Sequence, residues 1–96
     1  MSSLSLALPA DFDEYEWEVT SKGYFSDARI TVADRHYRLN FYDPVRLNQE
    51  IESEFGRGAI FFEPNLLVVQ SVTRSNMERA VELLMKSGQV GSLIPE

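Results

Sequence analysis

The chain has 96 residues, 44% hydrophobic and 11% aromatic, which suffices for one domain with a real core and argues against global disorder. It has no cysteine, which excludes disulfide stapling, thiol catalysis and cysteine-ligated zinc. Its net charge of −6, from 15 acids against 9 Lys and Arg, disfavours phosphate backbones and anionic membranes as partners and suits cationic proteins or solubility alone.

Residues 1–10 form a broken apolar stretch ending at Pro9. It lacks a basic n-region, so it reads as a flexible tail rather than a signal peptide, leaving 11–96 as a single domain. No run approaches the ~20 apolar residues of a membrane span. A cysteine-free chain of this kind is expected in the cytoplasm.

Residues 14–20 alternate. Tyr15, Trp17 and Val19 point one way, and Glu14, Glu16, Glu18 and Thr20 the other. The period predicts a half-buried strand with Trp17 in the core. Lys22-Gly23 ends it, and a loop runs through Ser26-Asp27. Within that loop Tyr24-Phe25 either closes the end of the sheet or stands exposed as an anchor for a partner. Residues 28–33 give a second strand with Ala28, Ile30 and Val32 inward. Asp34-Arg35 is the expected hairpin turn. Residues 36–42 give a third strand, with Tyr37, Leu39 and Phe41 inward and His36, Arg38, Asn40 and Tyr42 outward.

Asp43-Pro44 opens a helix, with an acceptor at the N-cap and proline at the first helical position. Leu47, Ile51 and Phe55 recur every four residues, and Gly56 and Gly58 end the run. Residues 59–63 and 66–72 read as two short strands joined by a turn at Pro64-Asn65. Leu66-Leu67-Val68-Val69 does not alternate, as expected of a central strand. Thr73 or Ser75 caps a last helix whose stripe is Met77, Ala80, Val81, Leu84 and Met85, with Gly88 as its stop. Val90, Leu93 and Ile94 add a short edge strand or pack as a tail.

The order is βββαββα. The predicted fold is α+β: a five-stranded antiparallel sheet, order 1-2-3-5-4, with two helices packed on one face and a right-handed crossover. A ferredoxin-like alternative places residues 89–94 as a final strand beside the third.

No catalytic constellation is evident. His36 is the lone histidine and lies beside a turn without a nucleophile or an orienting partner. No His/Asp/Glu spacing suggests a metal site. Gly56-Arg57-Gly58 lacks the lysine and the following helix of a phosphate loop. Paired carboxylates on a regular strand face lack the differing environments that acid–base work needs. The expectation is a chain that is not an enzyme and holds no cofactor or metal.

The acids are concentrated. Asp11, Asp13, Glu14, Glu16 and Glu18 fall within eight residues, and Glu50, Glu52 and Glu54 form a second group. Cross-strand pairing with Arg29 and Arg38 is the structural reading of Glu14, Glu16 and Glu18. The functional reading makes Asp13, Glu14, Glu16 and Glu18, with Glu50 and Glu54 second, the contacts to a basic protein partner, with no role for nucleic acid or membrane. Small, acidic, cysteine-free α+β domains without an active site are the general type of many bacterial toxin-neutralising immunity proteins. By that analogy the chain is expected to be an inhibitor of a basic, nuclease-type toxin. Two alternatives remain. One is a self-associating regulatory or structural module, a homodimer through an edge strand or a sheet face carrying Tyr42 and one of Phe61 and Phe62. The other is a small-molecule-binding domain with its site between sheet and helices.

Overall fold

The computed structural model describes residues 5–96. They form β1 (Ser5–Ala7), α1 (Phe12–Lys22), β2 (Tyr24–Val32), β3 (Arg35–Tyr42), α2 (Pro44–Gly56), β4 (Leu66–Val68), α3 (Arg74–Lys86) and a closing 3-10 turn, Gln89–Ser92. The four strands make one sheet in the order β1-β2-β3-β4, antiparallel except for the parallel β3–β4 pair. The α+β class is therefore as the sequence predicts. The five-stranded antiparallel sheet of order 1-2-3-5-4 is replaced by a mixed four-stranded one with three α-helices.

The β2–β3 hairpin frames the molecule. Phe25, Ala28 and Ile30 pair with Phe41, Leu39 and Tyr37, and all six side chains are buried on one face. A bulge at Ser26-Asp27 restores this alternation after Phe25, so the expected loop is the first part of β2. The turn falls one residue earlier than Asp34-Arg35. Val32 pairs with Arg35 across a two-residue loop, and Ala33 takes a positive φ of 55°. Tyr37, Leu39 and Phe41 point inward as predicted; of the outward set His36 and Arg38 are exposed, but Asn40 and Tyr42 are buried on the outer face, where Pro64 O accepts from Asn40 and Phe61 packs on Tyr42.

Residues 14–20 are helical, not a strand. Phe12, Tyr15 and Val19 are spaced i, i+3, i+7, which gathers them on one helical face. Phe12 and Val19 are buried, Tyr15 packs against the same core, and Phe12 meets Tyr15 and Phe25 edge-on. Tyr15 leaves the helical dihedrals (φ −129°, ψ 16°), so the helix bends at its first turn. Gly23 ends it at φ 73°, donating its N–H to Val19 O. A side chain there would run into the Asp43 carboxylate, which caps the next helix. Of residues 1–10, expected as a tail, 1–4 lie outside the described residues. Ser5–Ala7 pair with Ala7↔Arg29 through Ser5↔Thr31, and Leu6 and Leu8 pack on the core.

α1 and α3 together cover the buried face, where Met77 and Val81 join the hairpin residues. α2 forms where predicted, with Pro44 at its start and Asp43 Oδ1 accepting from Arg46 N at 2.7 Å. It contributes no fully buried side chain, and its Arg46 lies over the Tyr24 ring on the other side of the sheet. The two expected helices thus do not share a face. α2 carries the chain about 20 Å outward over its 13 residues. Residues 57–65 bring it back. That return puts β4 beside the residues of β3 that precede α2, running in the same direction, which is why the pair is parallel.

Residues 59–63, expected as a strand, lie along the outer face of the sheet with no strand partner, and Phe61 packs edge-on against Tyr42. Asn65, at φ 55°, turns the chain onto the edge of β3. Its carbonyl accepts from Asn40 N, and its side chain bonds Arg38 O and both backbone groups of Ile94 at 2.8–2.9 Å. Residues 89–94 make no strand. The chain beyond them still reaches β3, where Glu96 N donates to His36 O and Glu96 Oε2 accepts from Arg29 Nε.

Candidate partner-binding surface

The first acidic group lies on α1, and the helix sorts it. Asp13 and Glu16 face the start of α3. Asp13 Oδ1 accepts from Arg74 Nε at 3.0 Å, and Glu16 Oε2 accepts from the Arg74 backbone N–H at 2.7 Å. Thr20 Oγ1 donates to Val72 O at 2.7 Å along the same seam. The Arg74 guanidinium lies 5.4 Å from the centre of the Phe12 ring. Thr73 caps α3 by accepting from Asn76 N, so Thr73 rather than Ser75 is its N-cap. With Glu16 on the next free N–H, the positive end of α3 is neutralised by α1. Asp13 and Glu16 are therefore structural contacts first.

Glu14 and Glu18 are different. They stand one turn apart, are exposed, and enter no ion pair among the described residues. Between them in sequence, Trp17 is 70% exposed, not in the core as its alternation with Tyr15 and Val19 predicted. A helix rotates Trp17 about 200° away from Tyr15, so the face that buries Phe12, Tyr15 and Val19 presents Trp17 to solvent. With Asp13, Glu16, Thr20, Ser21 and Thr73 it lines a shallow depression of about 520 Å³. The i, i+3, i+7 spacing of Phe12, Tyr15 and Val19 is the sequence signal that would have assigned this face.

The second acidic group is taken up locally on α2. Glu50 pairs with Arg46 at 3.1 Å and Glu54 with Arg57. The structure does not bring these residues to the α1 surface. Nor do Arg29 and Arg38 meet Glu14, Glu16 and Glu18. Arg29 pairs with Asp27 and Glu96, and Arg38 donates to Ser26 O.

A cleft of about 390 Å³ on the outer face of the sheet is lined by Tyr24, Arg38, Asn40, Glu63, Asn65 and Ile94, with others. Much of its hydrogen-bonding capacity is spent on the fold. Asn40 Nδ2 donates to Pro64 O at 2.8 Å, and Asn65 holds Ile94. Beneath it the buried Tyr42 phenol lies against the Glu63 carboxylate, whose Oε1 is buried and makes no hydrogen bond among the described residues. Burial first, then the Glu63 carboxylate, with Tyr24 and Glu50 behind it, push the Tyr42 hydroxyl well above its ordinary titration range. Partial burial and the charges of Asp11 and Asp27 raise Tyr15 in the same sense.

His36 is exposed and shares a hydrogen bond with Thr31 Oγ1 at 3.0 Å, with no carboxylate in that pairing to orient the ring. Among the described residues, no group of three or more His, Cys, Asp or Glu is placed to hold a metal ion, and no helix is long and apolar enough to cross a membrane. Comparison with known protein families, curated proteins and solved structures returned no match.

Proposed function

We propose that this chain is a non-catalytic protein-binding domain that engages a basic partner through the outer face of α1. The observation that carries the reading is Trp17, exposed on a helix among Asp13, Glu14 and Glu18. Tryptophan contributes more binding energy per residue than almost any other side chain when a partner covers it. Its ring also attracts Lys and Arg by cation–π contact, which the surrounding carboxylates reinforce. Glu14 and Glu18 are the free charges, and Asp13 adds its field while bound to Arg74. Glu16 supports the surface from behind through the Arg74 N–H. Glu50 and Glu54 add to the overall negative field that steers a cationic partner, at some distance from the contact.

Within this class the reading we favour is an inhibitor of the immunity type, acting in the cytoplasm on a basic, nuclease-type toxin. An acidic face can occupy a cationic groove made for phosphates. Support comes from the charge balance and from the exposed aromatic anchor.

The test is a paired affinity capture. Columns carrying the wild-type chain and the Trp17→Ala variant are loaded with the same lysate and eluted with salt. A basic protein retained only by the wild type, leaving at high salt, and whose nuclease activity falls on adding the wild-type chain, is the expected result. Equal retention on both columns overturns the α1 assignment. A partner that is not a nuclease removes the toxin reading and keeps the surface.

A further inference from the structure

Among the described residues the sheet ends at β4, three residues with no strand beyond them. Asn65 O and Val69 N bond to β3. By alternation Leu66 and Val68 turn their N–H and C=O groups away from β3, along the open edge. Two depressions of about 360 and 490 Å³, sharing Leu66, Leu67, Leu84 and Gln89, run beside that edge as one groove. Phe62 walls it from the outer face, and Leu83 and Leu84 of α3 wall it from the core face.

The apolar surface here is large. Of the residues that line the groove, Phe62 is 75% exposed, and Val68 and Leu83 are about half exposed. A Phe side chain offers roughly 150–250 Å², so these three present on the order of 300 Å² of apolar surface, within the range of a monomer's largest patch. Each partner in a standard interface gives up ~800 Å², about two-thirds of it apolar in homodimers, so these three side chains supply roughly half of the apolar share, with the half-buried Leu66, Leu67, Leu84 and Leu93 beside them.

The edge is also complementary to itself. An antiparallel pairing of two β4 strands centred on Leu67 sets Leu66 of one copy opposite Val68 of the other. Those are the residues whose N–H and C=O groups point outward, so each pair exchanges two hydrogen bonds and every outward group is satisfied. Contacts across a two-fold axis bring like residues together, which requires an uncharged centre. Leu66, Leu67, Val68, Ala80, Leu83 and Leu84 supply one, and Glu63, the acid that lines the groove's far end, has its Oε1 buried.

We propose that this edge is the interface of a homodimer, in which β4 pairs with β4 of a second copy and joins the two sheets into one of eight strands. Phe62 packs near Phe62 on the outer face, and Leu83 near Leu83 on the core face. The acidic α1 surfaces point away from the junction. Each dimer therefore presents two of them.

Sedimentation equilibrium on the full chain tests this, with two variants. Val68→Pro deletes an outward N–H without touching the β3 pairing, a position where an edge strand tolerates proline. Leu83→Glu places a charge at the centre of the contact on an exposed helical position. The wild type is expected to be a dimer in the micromolar range. Each variant is expected to raise the dissociation constant about tenfold or more with an unchanged circular dichroism spectrum. Because both copies carry −6, added salt should strengthen this dimer or leave it unmoved. A wild type that stays monomeric overturns the proposal. So does a dimer that survives both substitutions, or one that dissociates as salt rises. Trp17→Ala is expected to leave the dimer intact, so failure here and failure of the α1 surface are separable.

Discussion

Tyr42 is 2% exposed, lies 4.7 Å from the Tyr24 ring between centroids, and faces Glu63. Its hydroxyl must stay protonated in the folded chain, because ionising it would bury a negative charge beside a carboxylate. In the unfolded chain the same group titrates near its ordinary value of ~10. The folded state thus holds a proton that the unfolded state gives up. The stabilisation is complete below pH ~10 and is lost above it, at up to about 1.4 kcal/mol per pH unit while only the unfolded form is ionised. Urea melts of the wild type and Tyr42→Phe across alkaline pH check the sign. The wild type should lose stability faster than the variant above pH ~10, with Tyr15 accounting for part of what remains. Parallel curves would mean that Tyr42 ionises freely in the fold. Trp17 shows the opposite disposition of a large aromatic residue, since nothing among the described residues covers it.

At the scale of elements, what local chemistry determines was legible and what packing determines was not. α2 and α3 begin where Asp43-Pro44 and Thr73 place them, because caps act within one turn. The β2–β3 alternation was readable because one face is dry. α1 was misread because Tyr15, Trp17 and Val19 fit period two as well as Phe12, Tyr15 and Val19 fit a helix. The first pattern counted Trp17 as buried, and only the tertiary fold decides that. The acidic run is plain in the sequence, but a helix replaces the strand face expected to carry Glu14, Glu16 and Glu18, and the division between Asp13 and Glu16, held by Arg74, and Glu14 and Glu18, left free, depends on α3 from the far end of the chain. Residues 59–63 have strand composition and no strand partner, so composition could not reveal their role. α2 has Leu47 and Ile51 half-buried and Phe55 exposed, with no residue fully covered. Isolated helices of this length are marginal in water. Native-state hydrogen exchange should therefore find the α2 amides the least protected of the three helices, opening locally, while those of α3 near Met77 and Val81 exchange only with global unfolding. Equal protection in both would show that α2 is held by more than these contacts.

For the whole molecule, the two proposed surfaces differ in chemistry and in place. The α1 face is charged with one aromatic anchor, and the β4 edge is apolar with unpaired backbone groups. Salt therefore acts on them in opposite directions, weakening the first and sparing or strengthening the second.

The β2–β3 turn has a further consequence, for the speed of folding. The hairpin is the longest pairing in the sheet and closes over only two residues, whereas β4 must wait for the α2 excursion before it can dock. Short loop closures come first in time because they cost the least chain entropy. Ala33 holds a positive φ at that turn, a conformation that glycine adopts without the steric penalty of a Cβ. If the hairpin is the nucleus, Ala33→Gly should accelerate refolding while leaving the unfolding rate nearly unchanged. Stopped-flow refolding and unfolding arms would measure both. A gain confined to the unfolding arm would mean that the barrier is crossed before the turn forms, and that the nucleus lies elsewhere in the chain.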